Sequence, residues 1–383
     1  MNDLMKKYPG EDDVAFLKRH SYYVRHIVPR LDYCAKTFAL KCDKTRPIST
    51  HVREEIDAFW SQYLTPSLRE QLIDYQYYDL FNDAETIEGS LSRYIPDSFH
   101  YLFIDDYYTN PQHSNPCDDK NLYDLYFHDV NRPQVVFRKF YGMFLDEHYC
   151  EISREEAIGR ARDCGDVILK KGKFTGGGEG VMFWNSKNED ECKLQEFLQS
   201  SNDIICQALI HQHEELNKLN PSSVNSIRLV TLFFHDQVYM LSSAMRFGVP
   251  GSKTDNFNGG GMACGIEADG RLKNVAYDIT ASKHHHTAQG VSLDSIVRPQ
   301  YDECVSLVKS LAKRFASVSR LVSWDLTIDE AGKPLLIECN VTFGGVSFHQ
   351  LCNGPLYGDL TEEVLKDVFN NSYTLKSIIK SLQ

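Results

Sequence analysis

Trp324-Asp325-Leu326-Thr327-Ile328, the turn Asp329-Glu330-Ala331-Gly332-Lys333, and Leu335-Leu336-Ile337-Glu338-Cys339-Asn340 form one nearly continuous stretch of the chain. Two short apolar runs flanking a polar, Gly-containing turn predict a β-hairpin. Side chains alternate along a strand, so Glu338 and Asn340 share a face, and Asp325 on the partner strand can join them. Two carboxylates and an amide oxygen converging from rigid strands make a hard, all-oxygen set. Such a set suits Mg²⁺, which leaves coordination positions for water and substrate phosphates. A solvated hairpin face would carry the same residue types, so the metal reading needs support from elsewhere in the chain.

That support comes from a second segment. Asp166-Val167-Ile168-Leu169-Lys170 reads as a strand and Val181-Met182-Phe183 as another. Between them Lys171-Gly172-Lys173-Phe174-Thr175-Gly176-Gly177-Gly178-Glu179-Gly180 forms a glycine- and lysine-rich loop. Glycine lets backbone N–H groups approach phosphate oxygens, and lysine supplies point charges for the same oxygens. The segment is not a Walker loop, which must end in Gly-Lys-Ser/Thr and open a helix. It does not complete Gly-x-Gly-x-x-Gly either, because Val181 stands at the last glycine position. An ordinary flexible hairpin loop is the competing reading.

In this order the pieces resemble the ATP-grasp superfamily, and within it the sugar-transfer-associated ATP-grasp family. The similarity rests on five blocks: the glycine loop, Ser223-Val224-Asn225-Ser226-Ile227-Arg228-Leu229-Val230-Thr231, Met245-Arg246-Phe247-Gly248, Asp255-Asn256-Phe257-Asn258-Gly259-Gly260-Gly261, and the hairpin with Trp324-Asp325 and Glu338-Cys339-Asn340. It implies an α+β fold in which two lobes clamp ATP. A helical N-terminal region would span 1–130, a nucleotide-binding lobe with its flap 131–205, and a C-terminal lobe with the Mg²⁺ site 206–383. It also implies roles for individual residues. Lys170 and the flap glycines Gly176, Gly177 and Gly178 would cover the triphosphate, with Lys139 or its neighbour Arg138 reaching a phosphate. The stretch Gln207, Ala208 and Leu209 would meet adenine, although the superfamily usually has an acidic residue where this chain has Gln207. His213 would contact ribose or substrate. Arg228 and Arg246 would clamp the transferred phosphoryl group or a carboxylate, and Asp325, Glu338 and Asn340 would hold Mg²⁺.

Composition agrees with a globular enzyme: 383 residues, 42% hydrophobic and 25% charged, with enough length for a substantial core. A net charge of −12 argues against nucleic acid as a partner, since such proteins favour basic surfaces. No apolar run approaches a membrane span. Met1 to Lys7 leads into Glu11-Asp12-Asp13, so no signal peptide is expected and the chain reads as cytoplasmic. Eleven cysteines without a Cys-x-x-Cys pair point to reduced thiols, with Cys206 and Cys339 as small buried hydrophobes.

The remaining segments are read for scaffold. Val52, Ile56, Phe59 and Trp60 share a helical face, and Pro66 suits the first turn of another helix. The tyrosines from Tyr75 to Tyr108 are core positions in the plainer reading and a sugar-facing surface in the sharper one. Asn110 to Asp119 reads as a boundary loop. Gln134 to Lys139 and Ile204 to Ile210 are strands, and Ser153-Arg154-Glu155-Glu156 caps a helix that ends near Gly165. Pro299 to Val318 reads as a long amphipathic helix, and the tail from Thr361 as one or two terminal helices. His284-His285-His286 is a His-rich loop, since neighbours on an extended chain point apart.

The implied activity is that of a ligase using ATP and Mg²⁺ to activate a substrate carboxylate as an acyl-phosphate, which an amine or sugar-linked acceptor then displaces. A phosphotransferase acting on a hydroxyl, or a noncatalytic nucleotide-binding protein, are the alternatives.

Overall fold

The extended segments close into two antiparallel sheets. The first contains β1 (Val135–Phe140), β2 (Met143–Leu145), β3 (Asp166–Lys171), β4 (Val181–Asn185) and β5 (Ile204–Ala208), in the order β2-β1-β5-β3-β4. In this computed structural model the described residues are 7, 10–22, 24, 27–41, 47–82, 90–109, 114–173, 180–297 and 299–382. The helix Arg154–Cys164 begins where Ser153 Oγ accepts from Glu156 N at 3.0 Å and ends at Gly165, whose φ of 88° is open to glycine but costly for other residues. Its Ala157, Ile158 and Ala161 join Leu194 and Leu198 of the helix Glu191–Gln199 in a core with Val167, Leu169 and Ile204.

The second sheet is built from β6 (Ser226–Phe234), β7 (Gln237–Phe247), β8 (Met262–Ile266), β9 (Leu272–Tyr277), β10 (Lys283–His284), β11 (Leu321–Ile328) and β12 (Pro334–Asn340). Its order is β10-β9-β8-β7-β6-β11-β12. The two-residue period of its central strands sorts their side chains cleanly. Ile227 and Leu229 of β6, with Trp324 and Leu326 of β11, pack against Cys304, Val308, Leu311 and Phe315 of the helix Tyr301–Phe315. Val230, Leu232 and Leu321 face the other way, into a second core. By the same alternation Ser226, Arg228 and Asp325 lie on that opposite face.

The second core joins the two ends of the chain. Ile56, Phe59 and Trp60 of the helix Thr50–Trp60 pack with Tyr77, Tyr78, Phe99 and Tyr101, and with Val364, Leu365, Val368, Leu375 and Ile378 of the two C-terminal helices, Thr361–Asn371 and Tyr373–Leu382. Most of the singled-out tyrosines are therefore core residues. Tyr78, for example, accepts from Trp60 Nε1 at 3.0 Å and donates to the Tyr94 carbonyl at 2.9 Å. The expected loop 110–119 is described from Ser114, where Asn115–Asp118 forms a 3₁₀ turn; 110–113 lie outside the described residues. Among the described residues no cysteine is in a disulfide, and no helix is long and apolar enough to cross a membrane. His284 meets Asp278 while His285 meets the Asn274 carbonyl, so the histidine run diverges as expected.

Candidate active site

A cavity of about 750 Å³ opens between the two sheets, within the range of ligand pockets. Its walls divide into three zones. At one end Ile168, Val181, Phe183, Leu209 and Ile210 form an apolar slot beside Gln207. In the middle, Lys120, Lys170, Arg228 and Arg246 face Asp255, Asp325 and Glu338, while Lys253 stands over the Phe183 ring of the slot. Four cations against three carboxylates reverse, locally, the acidic balance of the whole chain, and they favour an anionic ligand. The far end is lined by Tyr33, Asp97, Tyr101 and Phe343.

Strand register assembles the middle zone. Asp325 sits opposite Arg228 on β6 and Glu338 on β12, and Ser226 sits opposite Arg246 on β7. A bulge between Asp325 and Leu326 leaves Ile337 as the extra residue on β12 and brings Glu338 level with Asp325. Arg228 grips Asp325 in a two-pronged contact, Nε to Oδ1 at 2.6 Å and an Nη to Oδ2 at 2.5 Å. Arg246 adds an Nη bond to Oδ2 at 3.0 Å, and Asn340 Nδ2 approaches the same oxygen at 3.4 Å. The other Nη of Arg228 donates to the Gly344 carbonyl at 2.9 Å, and a Cβ at Gly344 would collide with Ser323. Arg246 is braced in turn by Ser226 Oγ at 2.7 Å, and Ser226 donates its hydroxyl to Asp255.

Electrostatics follow from this packing. Burial alone would raise the Asp325 carboxyl, but Arg228 and then Arg246 overcome it and hold the group below its ordinary value. Burial likewise works against the charge of Arg228, and Asp325 more than offsets it. Lys170 is pushed down by burial, with Glu338 opposing the shift. Glu338 Oε1 pairs with Lys120 Nζ at 3.0 Å.

The donor set suits a hard cation in part. Glu338 and Asn340 stand two residues apart on β12, both lining the cavity, and supply the oxygens Mg²⁺ prefers. Both oxygens of Asp325 are already occupied by guanidinium N–H groups. Among the described residues no three His, Cys, Asp or Glu side chains gather into a metal cage. The residues fit an ion that takes one carboxylate and one amide from the protein and its remaining ligands from phosphate oxygens and water.

Not every residue singled out in the sequence reaches this cavity. Lys170, Gln207, Leu209, Arg228, Arg246, Asp325, Glu338 and Asn340 line it. Lys139 does not: its Nζ donates to the Leu198 and Ser201 carbonyls at 2.8 and 2.9 Å, closing the C-terminal end of the helix Glu191–Gln199. Arg138, pointing the other way, is buried against Tyr149 and donates to the Asp146 carbonyl at 2.8 Å. His213 is a helix cap, its Nδ1 accepting from Glu215 N at 3.2 Å. The amides of Ala208 and Leu209 are spent on the Gln134 and Asp166 carbonyls, so a ligand at this stretch meets carbonyls and side chains rather than those N–H groups. Gly176, Gly177 and Gly178 lie outside the described residues.

Lys120 is the functional candidate that sequence reasoning passed over. It follows Asp118-Asp119 in a run of short 3₁₀ turns with no periodicity to mark it. Its backbone N donates to the Gly172 carbonyl at 3.0 Å, tying it to the root of the glycine loop.

Among solved structures, the chain resembles D-alanyl-alanine synthetase A from Vibrio cholerae O1 biovar eltor at 11% identity and a TM-score of 0.42, over 69% of this chain and 67% of that one. It also resembles the L-amino acid ligase of Bacillus licheniformis at 14% identity and a TM-score of 0.38, over 66% of this chain and 48% of that one. N5-carboxyaminoimidazole synthetase from Staphylococcus aureus, complexed with ADP, aligns at 10% identity and a TM-score of 0.40, over 67% of this chain and 52% of that one. In the latter two cases the chain spans only about half the length of its neighbour. The curated proteins contain no match. A sequence profile for the sugar-transfer associated ATP-grasp family matches residues 102–366, well over half of the chain, and the protein belongs to that family.

Proposed function

We propose that this protein is an ATP-dependent ligase that activates a carboxylate as its acyl-phosphate and joins it to an amine. The observation that carries the reading is the middle zone of the cavity, where Lys120, Lys170, Arg228 and Arg246 converge beside Glu338 and Asn340. Adenine occupies the apolar slot between Ile168, Val181, Phe183 and Leu209, with the triphosphate running towards the arginines. Lys170 and Lys120 bind its oxygens. Glu338 and Asn340 would hold Mg²⁺, which would supply charge neutralisation for the phosphates. Asp325 anchors the arginines and could join the metal set only by giving up part of those contacts.

A substrate carboxylate oxygen attacks the γ-phosphorus, ADP leaves, and the acyl-phosphate forms. The amine nitrogen then attacks the acyl carbon, the C–O bond to phosphate breaks, and the nitrogen loses a proton as the amide is made. Phosphoryl transfer asks mainly for positioning and charge stabilisation, so the protein needs no nucleophile of its own. Arg228 has three of its five N–H groups committed to Asp325 and Gly344, leaving two to meet an incoming oxygen. The family's association with sugar transfer supports a sugar-linked acceptor and a place in polysaccharide assembly.

Hydroxylamine trapping tests the reading. Incubation with ATP, Mg²⁺ and a panel of amino and hydroxy acids is expected to yield a hydroxamate with at least one acid. A stable phosphorylated alcohol in its place would move the protein to the phosphotransferases. The geometry also separates Lys139 from nucleotide binding. Lys139→Gln should leave MgADP affinity within about two-fold of wild type, while losing roughly 0.5–1 kcal/mol of stability at a helix C-terminus. Calorimetric titration and urea unfolding measure the two quantities.

A further inference from the structure

The cavity continues past the arginines to a wall made largely from residues upstream of the family match, which begins at residue 102. Tyr33 comes from the helix Val28–Lys41, and Asp97 and Tyr101 from the turns that follow Pro96. The ring of Tyr33 meets Tyr101 edge-on at 5.4 Å and Phe343 at 4.7 Å, while Tyr101 and Phe343 lie 5.5 Å apart. Asn258, from the amide-rich loop of the larger lobe, reaches the Tyr33 hydroxyl at 3.5 Å. Asp97 is 8% exposed and lines the cavity, and after burial its charge is the next cause that raises the neighbouring Tyr77 hydroxyl. Burial, followed by Asp97, raises the Tyr33 hydroxyl above its ordinary value, so it stays a neutral donor. Lys36 also borders the wall, but its ammonium is paired with Asp32 at 2.7 Å.

This chemistry differs from that of the middle zone. A carboxylate at the far end repels phosphate and attracts an ammonium group. Aromatic faces beside it suit the C–H face of a sugar ring or a cation, and the hydroxyl and amide can bond ring hydroxyls. We propose that the wall of Tyr33, Asp97, Tyr101, Phe343 and Asn258 is the acceptor subsite and that it takes an amine-bearing sugar. Asp97 holds the ammonium group and Tyr33 and Phe343 pack against the ring. The assignment rests on the ligase reading for its place in catalysis, although the binding it describes is measurable without turnover. It also divides the labour along the chain. The helical N-terminal region supplies Tyr33, Asp97 and Tyr101 to the acceptor wall, and the family-matched part completes it with Asn258 and Phe343 and handles ATP.

Saturation-transfer NMR on the full chain, with D-glucosamine as the probe and N-acetylglucosamine as its uncharged counterpart, tests the proposal. Ring protons of glucosamine should receive saturation, and N-acetylglucosamine should bind about ten-fold more weakly. Asp97→Asn should weaken glucosamine by about ten-fold or more while MgADP affinity stays within about two-fold, which also shows that the variant is folded. If Asp97→Asn does not fold, Tyr33→Phe, which loses only the hydroxyl, should still weaken glucosamine by about three-fold. No saturation transfer with wild type, or unchanged glucosamine affinity in a folded variant, overturns the proposal. Hydroxamate formation by wild type reports on the ligase reading alone, so failure of one reading is distinguishable from failure of the other.

Discussion

Glu338→Gln should lower the maximal turnover with ATP by about 10²- to 10³-fold, the usual scale for removing one preorganised charge from a transition state. The substitution keeps the size and one oxygen of the side chain but removes the negative charge facing the cavity. Its effect should also appear as a shift of the Mg²⁺ dependence to higher concentration, which separates a metal role from a purely structural one. The fold should be little changed. The Glu338 side chain is 29% exposed, and its pairing with Lys120 at 3.0 Å is the kind of partly exposed contact that contributes no more than about 1 kcal/mol. Unchanged turnover and an unchanged Mg²⁺ profile would remove Glu338 from the metal site.

Asp325→Asn should behave differently, as a stability mutation first. The carboxylate is 4% exposed and sits between Arg228 and Arg246, themselves 9% and 10% exposed at the side chain. Neutralising it leaves the buried Arg228 without its partner charge and Arg246 with only Asp255 at 3.8 Å, which costs roughly 3–5 kcal/mol. Urea unfolding should register that loss, and MgADP affinity should fall with it because the cations that frame the phosphate zone lose their anchor. Adding Arg228→Met to Asp325→Asn should restore part of the stability, with a coupling of about 0.5–3 kcal/mol between the two positions. A loss below about 1 kcal/mol in the single variant would mean that Asp325 is not the anchor its contacts describe.

The difference between these two carboxylates marks where sequence reading stops. The two apolar runs around the polar turn Asp329 to Lys333 are enough to predict the hairpin, and strand alternation gives the shared face of Glu338 and Asn340. The bulge at Ile337 was not visible, because an extra residue in a strand leaves no mark on local composition. The bidentate grip of Arg228 on Asp325 depends on pairing between β6 and β11, which lie far apart in the chain. Lys139 and His213 show the opposite failure. Each has suitable chemistry near a family block, and each is drawn instead to unsatisfied backbone groups at a helix end. Lys120 and Asp97 come from runs of single turns without periodicity: packing of the chain's two ends against the second sheet brings Asp97 to the cavity, and the bond to Gly172 with Cys117 and Tyr123 in the other core brings Lys120.

The central claim is that the γ-phosphoryl group passes to a carboxylate oxygen. It is tested most directly with ¹⁸O-labelled donor acid, ATP, Mg²⁺ and an amine, followed by mass analysis of the inorganic phosphate released. An acyl-phosphate requires one carboxylate oxygen to leave with the phosphate, so the phosphate should carry a single ¹⁸O per turnover. Phosphate free of label, with all ¹⁸O retained in the acid or its product, would contradict it.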